Sequence, residues 1–296
     1  MRTLITISSI SHSGSTMLDL MLGNASDAFS CGEVSAWFRP WRTHHFKIDC
    51  ACKQDPCPIW ENLIGLPEHS VHASICNQLG VIFVIDSSKN LVWYIDTQVW
   101  ARNHGLKTVN ILLWKNPIDL AFSSWKRGAT VDHWRRAFIT YYNRALSLDI
   151  PSFSVNFNEL ASEPQSKLAE ICAAIGMPYF YGKEDFWMKQ HHHLFGAAGT
   201  RKQVEAKNSI IKKKVAYHPD FQKNLEKIEN QIKADRQVQK IIGELRKLDV
   251  SIRQEGSNTA QHVVRREVLP IWYYRNKIKR KFQRYLPVKF DPRVQW

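Results

Sequence analysis

Apolar runs of two kinds alternate along the first two-thirds of the chain. Short runs rich in β-branched residues read as strands, and longer runs with a period near 3.6 read as helices. Leu4 to Ile7 is the first short run. It passes through Ser8-Ser9-Ile10-Ser11-His12-Ser13-Gly14-Ser15-Thr16 into the helix pattern Met17-Leu18-Asp19-Leu20-Met21-Leu22-Gly23. Val81-Ile82-Phe83-Val84-Ile85 predicts a buried parallel strand. It ends in Asp86-Ser87-Ser88-Lys89, expected to open the next helix. Thr108 to Trp114 predicts a third strand, and Pro117 of the following Lys115-Asn116-Pro117 suits a helix start. Residues 131–148 set Trp134, Phe138, Tyr141, Ala145 and Leu148 at helical spacing. Phe153 to Phe157 predicts a fourth strand, and residues 165–175 a short amphipathic helix closed by Gly176 and Pro178.

This alternation predicts an α/β fold, a parallel sheet flanked by helices. In such sheets ligands bind beyond the carboxyl ends of the strands. The polar segments of this chain all fall there. The loop after Ile7 joins a strand to a helix N-terminus, where exposed backbone N–H groups and the helix dipole favour an anion. Ser13, Ser15 and Thr16 add hydroxyl donors. The same residues would also make an ordinary helix cap, so the loop alone leaves both readings open. A nucleotide-triphosphatase loop needs G-x-x-x-x-G-K-[ST]. Here Gly14 is followed directly by Ser15 and Thr16, which puts a kinase or ATPase second.

Composition sharpens the picture only in part. A net charge of +14 favours an anionic ligand, nucleic acid or an acidic membrane surface. No apolar run reaches 18 residues, so no transmembrane helix is expected. Met1 to Ile10 has one basic residue and leads into the loop, unlike a secretory signal, and a cytoplasmic location is expected. Cys50, Cys52 and Cys57 cluster as C-x-C-x4-C. Zinc would need a fourth ligand, with His44 or His45 close in sequence. The spacing departs from paired C-x2-C motifs, and the expectation is reduced thiols and no metal. His191, His192 and His193 also invite a metal reading, but adjacent residues seldom converge on one ion.

The loop resembles the 5′-phosphosulfate loop of the sulfotransferases that use 3′-phosphoadenosine 5′-phosphosulfate (PAPS). That loop reads [RK]-S-G-[ST]-T before a leucine-rich helix. Here it stands as His12-Ser13-Gly14-Ser15-Thr16-Met17-Leu18, with His12 at the basic position. The family's R-D-P…S pattern for the 3′-phosphate resembles Lys115-Asn116-Pro117 followed by Ser123; lysine keeps the charge but loses the two-pronged fork. Cys31-Gly32-Glu33 is similar to a G-E pair that supplies the base. Asp86-Ser87-Ser88-Lys89 resembles the D-S-S-K of a bacterial branch, and Cys50-Ala51-Cys52 to Cys57-Pro58-Ile59-Trp60 its C-x-C…C-P-x-W feature. Phe157-Asn158-Glu159-Leu160…Pro164 resembles Y-E-D-L…P, with Phe157 at the tyrosine position. The segment His191 to Lys202 looks like the late glycine-rich loop that closes over the cofactor.

The resemblance spans about residues 4 to 202 and implies a P-loop-like sheet. It implies PAPS as cofactor, with PAP as product, held by His12, Ser13, Gly14, Ser15, Thr16, Lys115, Ser123, Phe157 and Arg201. It implies Glu33, Lys89 and His12 as catalytic residues. Glu33 would take the proton of an acceptor hydroxyl on a carbohydrate, lipid-linked sugar or small molecule. The departures at His12, Asn116 and Phe157 keep open, beside the kinase, a non-catalytic PAP- or membrane-binding protein on the same scaffold. Trp37, Trp125, Arg127 and His45 are weaker candidates for the acceptor side.

Three parts are expected: a core over 1–204, a helical extension over 205–250 broken near His218-Pro219, and a polar hinge with a basic aromatic segment over 251–296. Residues 263–296 hold ten Lys/Arg against two acids, interleaved with Trp272, Tyr273, Tyr274, Phe282 and Tyr285. That pattern suits peripheral contact with an anionic membrane, or a helix whose aromatics pack on the core. No nucleic-acid docking motif appears.

Overall fold

In the computed structural model, which describes residues 1–148, 150–207, 215–252 and 269–283, five parallel strands form one sheet. They are β1 (Thr3–Ser8), β2 (Ala28–Gly32), β3 (Phe83–Asp86), β4 (Lys107–Trp114) and β5 (Ser152–Asn156). Their order is β2-β3-β1-β4-β5. β1 lies at the centre, with Thr3 beside both Phe83 and Lys107. The chain winds from β1 out to β2 and back through β3, then crosses to β4 and β5. The loops after β1 and β4 therefore diverge, which opens a crevice at the carboxyl ends of those two strands.

Strand β2 is the element that the pattern does not predict. Its sequence, Ala-Phe-Ser-Cys-Gly, has no β-branched residue, yet every position is buried. Tertiary placement between β3 and the Ser15–Leu22 helix decides its state, not local preference. Other boundaries shift. The expected strand over 81–85 runs from Phe83 to Asp86. Lys89 does not open a helix: Asn90 caps the Leu91–Asn103 helix by accepting from the Trp93 N–H, and Lys89 precedes it with φ +61°. Phe157 is not the last residue of β5 but the first of the Phe157–Ser162 helix, capped by the Asn156 side chain.

The sheet is covered on both faces. One apolar layer holds Leu4, Val84, Leu112, Trp60, Trp93 and Phe138. The other holds Ile5, Ile7, Leu18, Ile111, Phe153 and Leu168. Burial of these layers is the main stabilising term. The extension adds to the first layer: Phe221, Ile228, Val238, Ile241 and Leu245 join the same cluster. His218 caps, and Pro219 begins, the Pro219–Gln222 helix.

In the Ile271–Gln283 helix, Tyr273 and Lys277 both donate to the Asp96 carboxylate, and Arg144 lies 5.6 Å from the Trp272 ring. Trp272 and Tyr273 thus pack inward, while Ile271, Tyr274 and Ile278 face solvent. Most of the expected hinge and residues 284–296 lie outside the described residues. Among the described residues no helix is long and apolar enough to cross a membrane.

Gly32 shows how tightly the site end of β2 is built. Its φ is +74°, and a Cβ would stand 2.1 Å from the Leu194 carbonyl oxygen. Gly32→Ala should cost about 2 kcal/mol or more of folding stability, from positive φ plus a backbone clash. Chemical denaturation would read it as a lowered midpoint with an unchanged slope. A midpoint equal to wild type would contradict this packing.

Candidate active site

Four segments meet at the crevice: the loop after β1, the turn after β2, the turn after β3 and the start of the helix after β4. Gly14, φ +89°, caps the Ser15–Leu22 helix. The Phe157 ring lies directly against it, at 2.0 Å from where a Cβ would be. The Lys115 ammonium stands 5.4 Å from the centre of the same ring. Gly14, Phe157 and Lys115 are thus brought together from three separate stretches of sequence. Ser123 lies two turns into the Pro117–Trp125 helix, and its carbonyl accepts from Arg127 Nη1 at 2.5 Å. Asn116 ties the ends of β4 and β5 together. Its N–H donates to Asn158 Oδ1, and its Oδ1 accepts from Asn156 Nδ2.

His12 has φ +71°. Arg127 Nη2 lies 3.1 Å from His12 Nδ1, so Nδ1 accepts and the proton of the neutral ring sits on Nε2. Enclosure in the crevice, then the charges of Arg127, Lys89, Lys115 and Arg42, push its pKa down to about 3. Solvent still reaches the ring, so the four cations and the Arg127 hydrogen bond are the firmer reason for the neutral state. Nothing in the sequence pattern marks Arg127 as the partner of His12. The pair joins the end of one helix to a loop 115 residues earlier. Arg127 thus places a permanent cation beside His12.

Glu33 follows β2, and its carboxylate is paired with the Lys89 ammonium. Both side chains are largely buried. The Lys89 N–H donates to the Tyr94 hydroxyl at 2.5 Å, which in turn donates to the Ile7 carbonyl at 2.8 Å. Lys89 is so tied to the end of β1. His12 and Lys89 are two non-glycine residues at positive φ beside one crevice. Such strain persists only where the surroundings impose it, and it clusters at functional sites.

Beneath them lies a buried polar group that the sequence does not announce. Asp19 Oδ2 accepts from the Ser87 hydroxyl at 2.6 Å and from the Gly32 N–H at 3.2 Å. Burial raises its pKa to about 7. Asp19 thereby links the segments that carry Glu33 and Lys89. Asp86 does the same for the β3 turn, accepting from Trp93 Nε1, from the Ser88 N–H and from His72.

The glycine-rich loop closes the other side. Leu194 bridges Gly32, its carbonyl accepts the Glu33 N–H at 2.9 Å, and the Ala197 N–H donates to Thr16 Oγ1 at 3.0 Å. Arg201, expected at a phosphate, bonds the Asp49 carboxylate through its two terminal nitrogens at 2.8 and 2.6 Å and so ties this loop to the segment before Cys50. The three adjacent histidines separate: His191 donates to the Phe186 carbonyl, His192 meets Cys57, and His193 meets the Ser30 hydroxyl. On the outer side of Glu33, Arg42 covers the Trp41 ring at 4.2 Å, and His45 packs against Trp41 and Phe195.

The arrangement fits a bound polyanion. Ser9 Oγ is a buried hydroxyl with no hydrogen-bond partner among the described residues, and the buried Ser13 hydroxyl faces Tyr142. They flank a loop whose helix N-terminus offers N–H groups, with four cations around it.

Neither a family model nor a curated protein matches this sequence. Solved structures do. The sulfotransferase domain of the Synechococcus PCC 7002 olefin synthase aligns with a TM-score of 0.53 at 14% identity, over 79% of this chain and 95% of that one. The sulfotransferase domain from the curacin biosynthetic pathway aligns at 0.48 and 16% identity, over 83% and 98%. A mouse sulfotransferase complexed with PAP aligns at 0.38 and 13% identity, over 83% and 88%. The first of these likenesses shows that the chain has the fold of a sulfotransferase domain, an α/β parallel sheet with helices on both faces.

Proposed function

We propose that this protein transfers a sulfuryl group from PAPS to a hydroxyl of a small-molecule or glycan acceptor. The observation that carries the reading is the convergence of Arg127, Lys89, Lys115 and Arg42 on His12, beside the Glu33–Lys89 pair. PAPS supplies an activated sulfuryl group on a phosphate leaving group. The N–H groups of Gly14 to Thr16 and the hydroxyls of Ser13, Ser15 and Thr16 hold the 5′-phosphate side. Lys115 and Ser123 hold the 3′-phosphate, and Phe157 supports the loop from behind. Glu33 accepts the proton of the acceptor hydroxyl as it attacks sulfur in line. Lys89, Arg127 and the Nε2–H of His12 donate to oxygens on which negative charge grows. Trp41, Arg42 and His45 form the acceptor side, where an aromatic face suits a sugar or ring. Six free cysteines suit a reducing, cytoplasmic setting.

The test is ligand linkage. PAP should raise the melting temperature more than ADP does, because only PAP carries the 3′-phosphate for Lys115 and Ser123. Lys115→Ala should remove that difference. Equal shifts with both nucleotides would end the assignment of those two residues. A shift that needs ATP and magnesium would favour a phosphotransferase instead.

A further inference from the structure

The fold brings a fourth metal-type ligand to the cysteine cluster from far away in sequence. The ligand atoms of Cys50, Cys52, Cys57 and His192 all lie within 4.8 Å of one another. Sγ of Cys57 and Nδ1 of His192 are 3.3 Å apart. With zinc–sulfur bonds of about 2.3 Å and zinc–nitrogen bonds of about 2.0 Å, tetrahedral ligands stand about 3.5–3.8 Å apart. The four atoms are therefore already near the spacing that an ion would impose. His192, and not His44 or His45, completes the set. His45 instead packs among Trp41, His44 and Phe195.

The surroundings hold these groups in place. Trp60 Nε1 donates to the His192 carbonyl at 2.5 Å. The Ala51 N–H donates to the His193 carbonyl, and Cys50 bridges Leu194. The turn closes with the Lys53 N–H, at φ +59°, donating to the Cys50 carbonyl at 3.2 Å. Backbone N–H groups of Ile59 and Trp60 face the Cys57 sulfur, the way amides support a metal thiolate. Cys50 and Cys57 are buried, and none of the three thiols is in a disulfide.

We propose that Cys50, Cys52, Cys57 and His192 form a closed structural zinc site. Three soft sulfurs and one imidazole fill a tetrahedron and leave no open position, which suits zinc in a structural role. Each coordinating thiol gives its proton to solvent as the zinc–sulfur bond forms. The site would clamp residues 50–57 to the segment that presents Leu194 to Gly32 and Glu33. It explains why Trp60 belongs to the cluster: its indole fixes the backbone of the histidine ligand.

The full chain, purified without chelator, should carry about one zinc per molecule by elemental analysis. Exchange with cobalt should give the intense visible bands of a tetrahedral thiolate site. His192→Ala and Cys52→Ser should lose most of the metal. His192→Cys should retain it, and so should His44→Ala and His45→Ala. If His192→Ala does not fold, the wild-type metal content and the His192→Cys variant still decide. Wild-type protein without stoichiometric zinc would overturn the proposal, whether its thiols are free or in a disulfide. So would zinc retained by both His192→Ala and Cys52→Ser.

Discussion

Glu33→Gln should lower turnover by about 10²–10⁴-fold, the usual scale for loss of a general base. On the proposed reading the affinity for PAP should hardly change, because the carboxylate, near Arg42 and His45, is assigned to the acceptor and not to the nucleotide. Glutamine keeps the size of the side chain and can still accept from Lys89. What it removes is the ability to take a proton. The readout is initial rate at saturating PAPS with an acceptor found by screening, beside PAP binding by calorimetry. A rate within a factor of three of wild type would move the base elsewhere. Loss of PAP affinity in step with the rate would mean that Glu33 holds the cofactor pocket together and is not the base.

The parts of this site that are local in sequence are legible there. A β-branched run, a hydroxyl-rich turn and an apolar helix put Ser13 to Thr16 at a strand end, and the β1-to-helix unit has that form. The strand end at Lys115 and the helix that carries Ser123 follow from the run that becomes β4 and the proline behind it, while their assignment to a phosphate comes from the resemblance alone. What is not legible arises from contacts between distant segments. β2 is a strand because β3 and a helix enclose it, not because Ala-Phe-Ser-Cys-Gly prefers to extend. Phe157 reads as a strand end until the Asn156 cap makes it a helix start. Nothing local to Arg201 announces its pairing with Asp49, 152 residues earlier. His192 stands 135 residues from Cys57 and carries no sign of which histidine of its run would meet it. Local pattern reports strands, helices and loop chemistry, while pairing across the fold decides which charged group ends beside which.

The pairing of His12 with Arg127 has the second large consequence. Arg127→Ala should cut turnover by about 10²–10³-fold, the scale for removing one donor to a developing anion. It should also weaken PAP binding, since a charged contact is lost. His12→Arg should then restore much of the lost activity in the Arg127→Ala background, because it returns a permanent cation to the loop. In the wild-type background the same change should help little or harm. A guanidinium placed there would add a further cation beside Arg127, Lys89, Lys115 and Arg42, while the nearby Glu33 carboxylate is already paired with Lys89. The two substitutions are thus expected to be strongly non-additive. His12→Asn should be milder than Arg127→Ala, since the amide still offers a donor and an acceptor in place of the ring nitrogens. The double-mutant cycle is measured on turnover at saturating PAPS and on PAP affinity by calorimetry. Additive effects in both would show that His12 and Arg127 act on different things, and that the charge missing from the loop is not supplied by Arg127. Lys89 would then remain the only one of the four cations held at the end of β1 to do so.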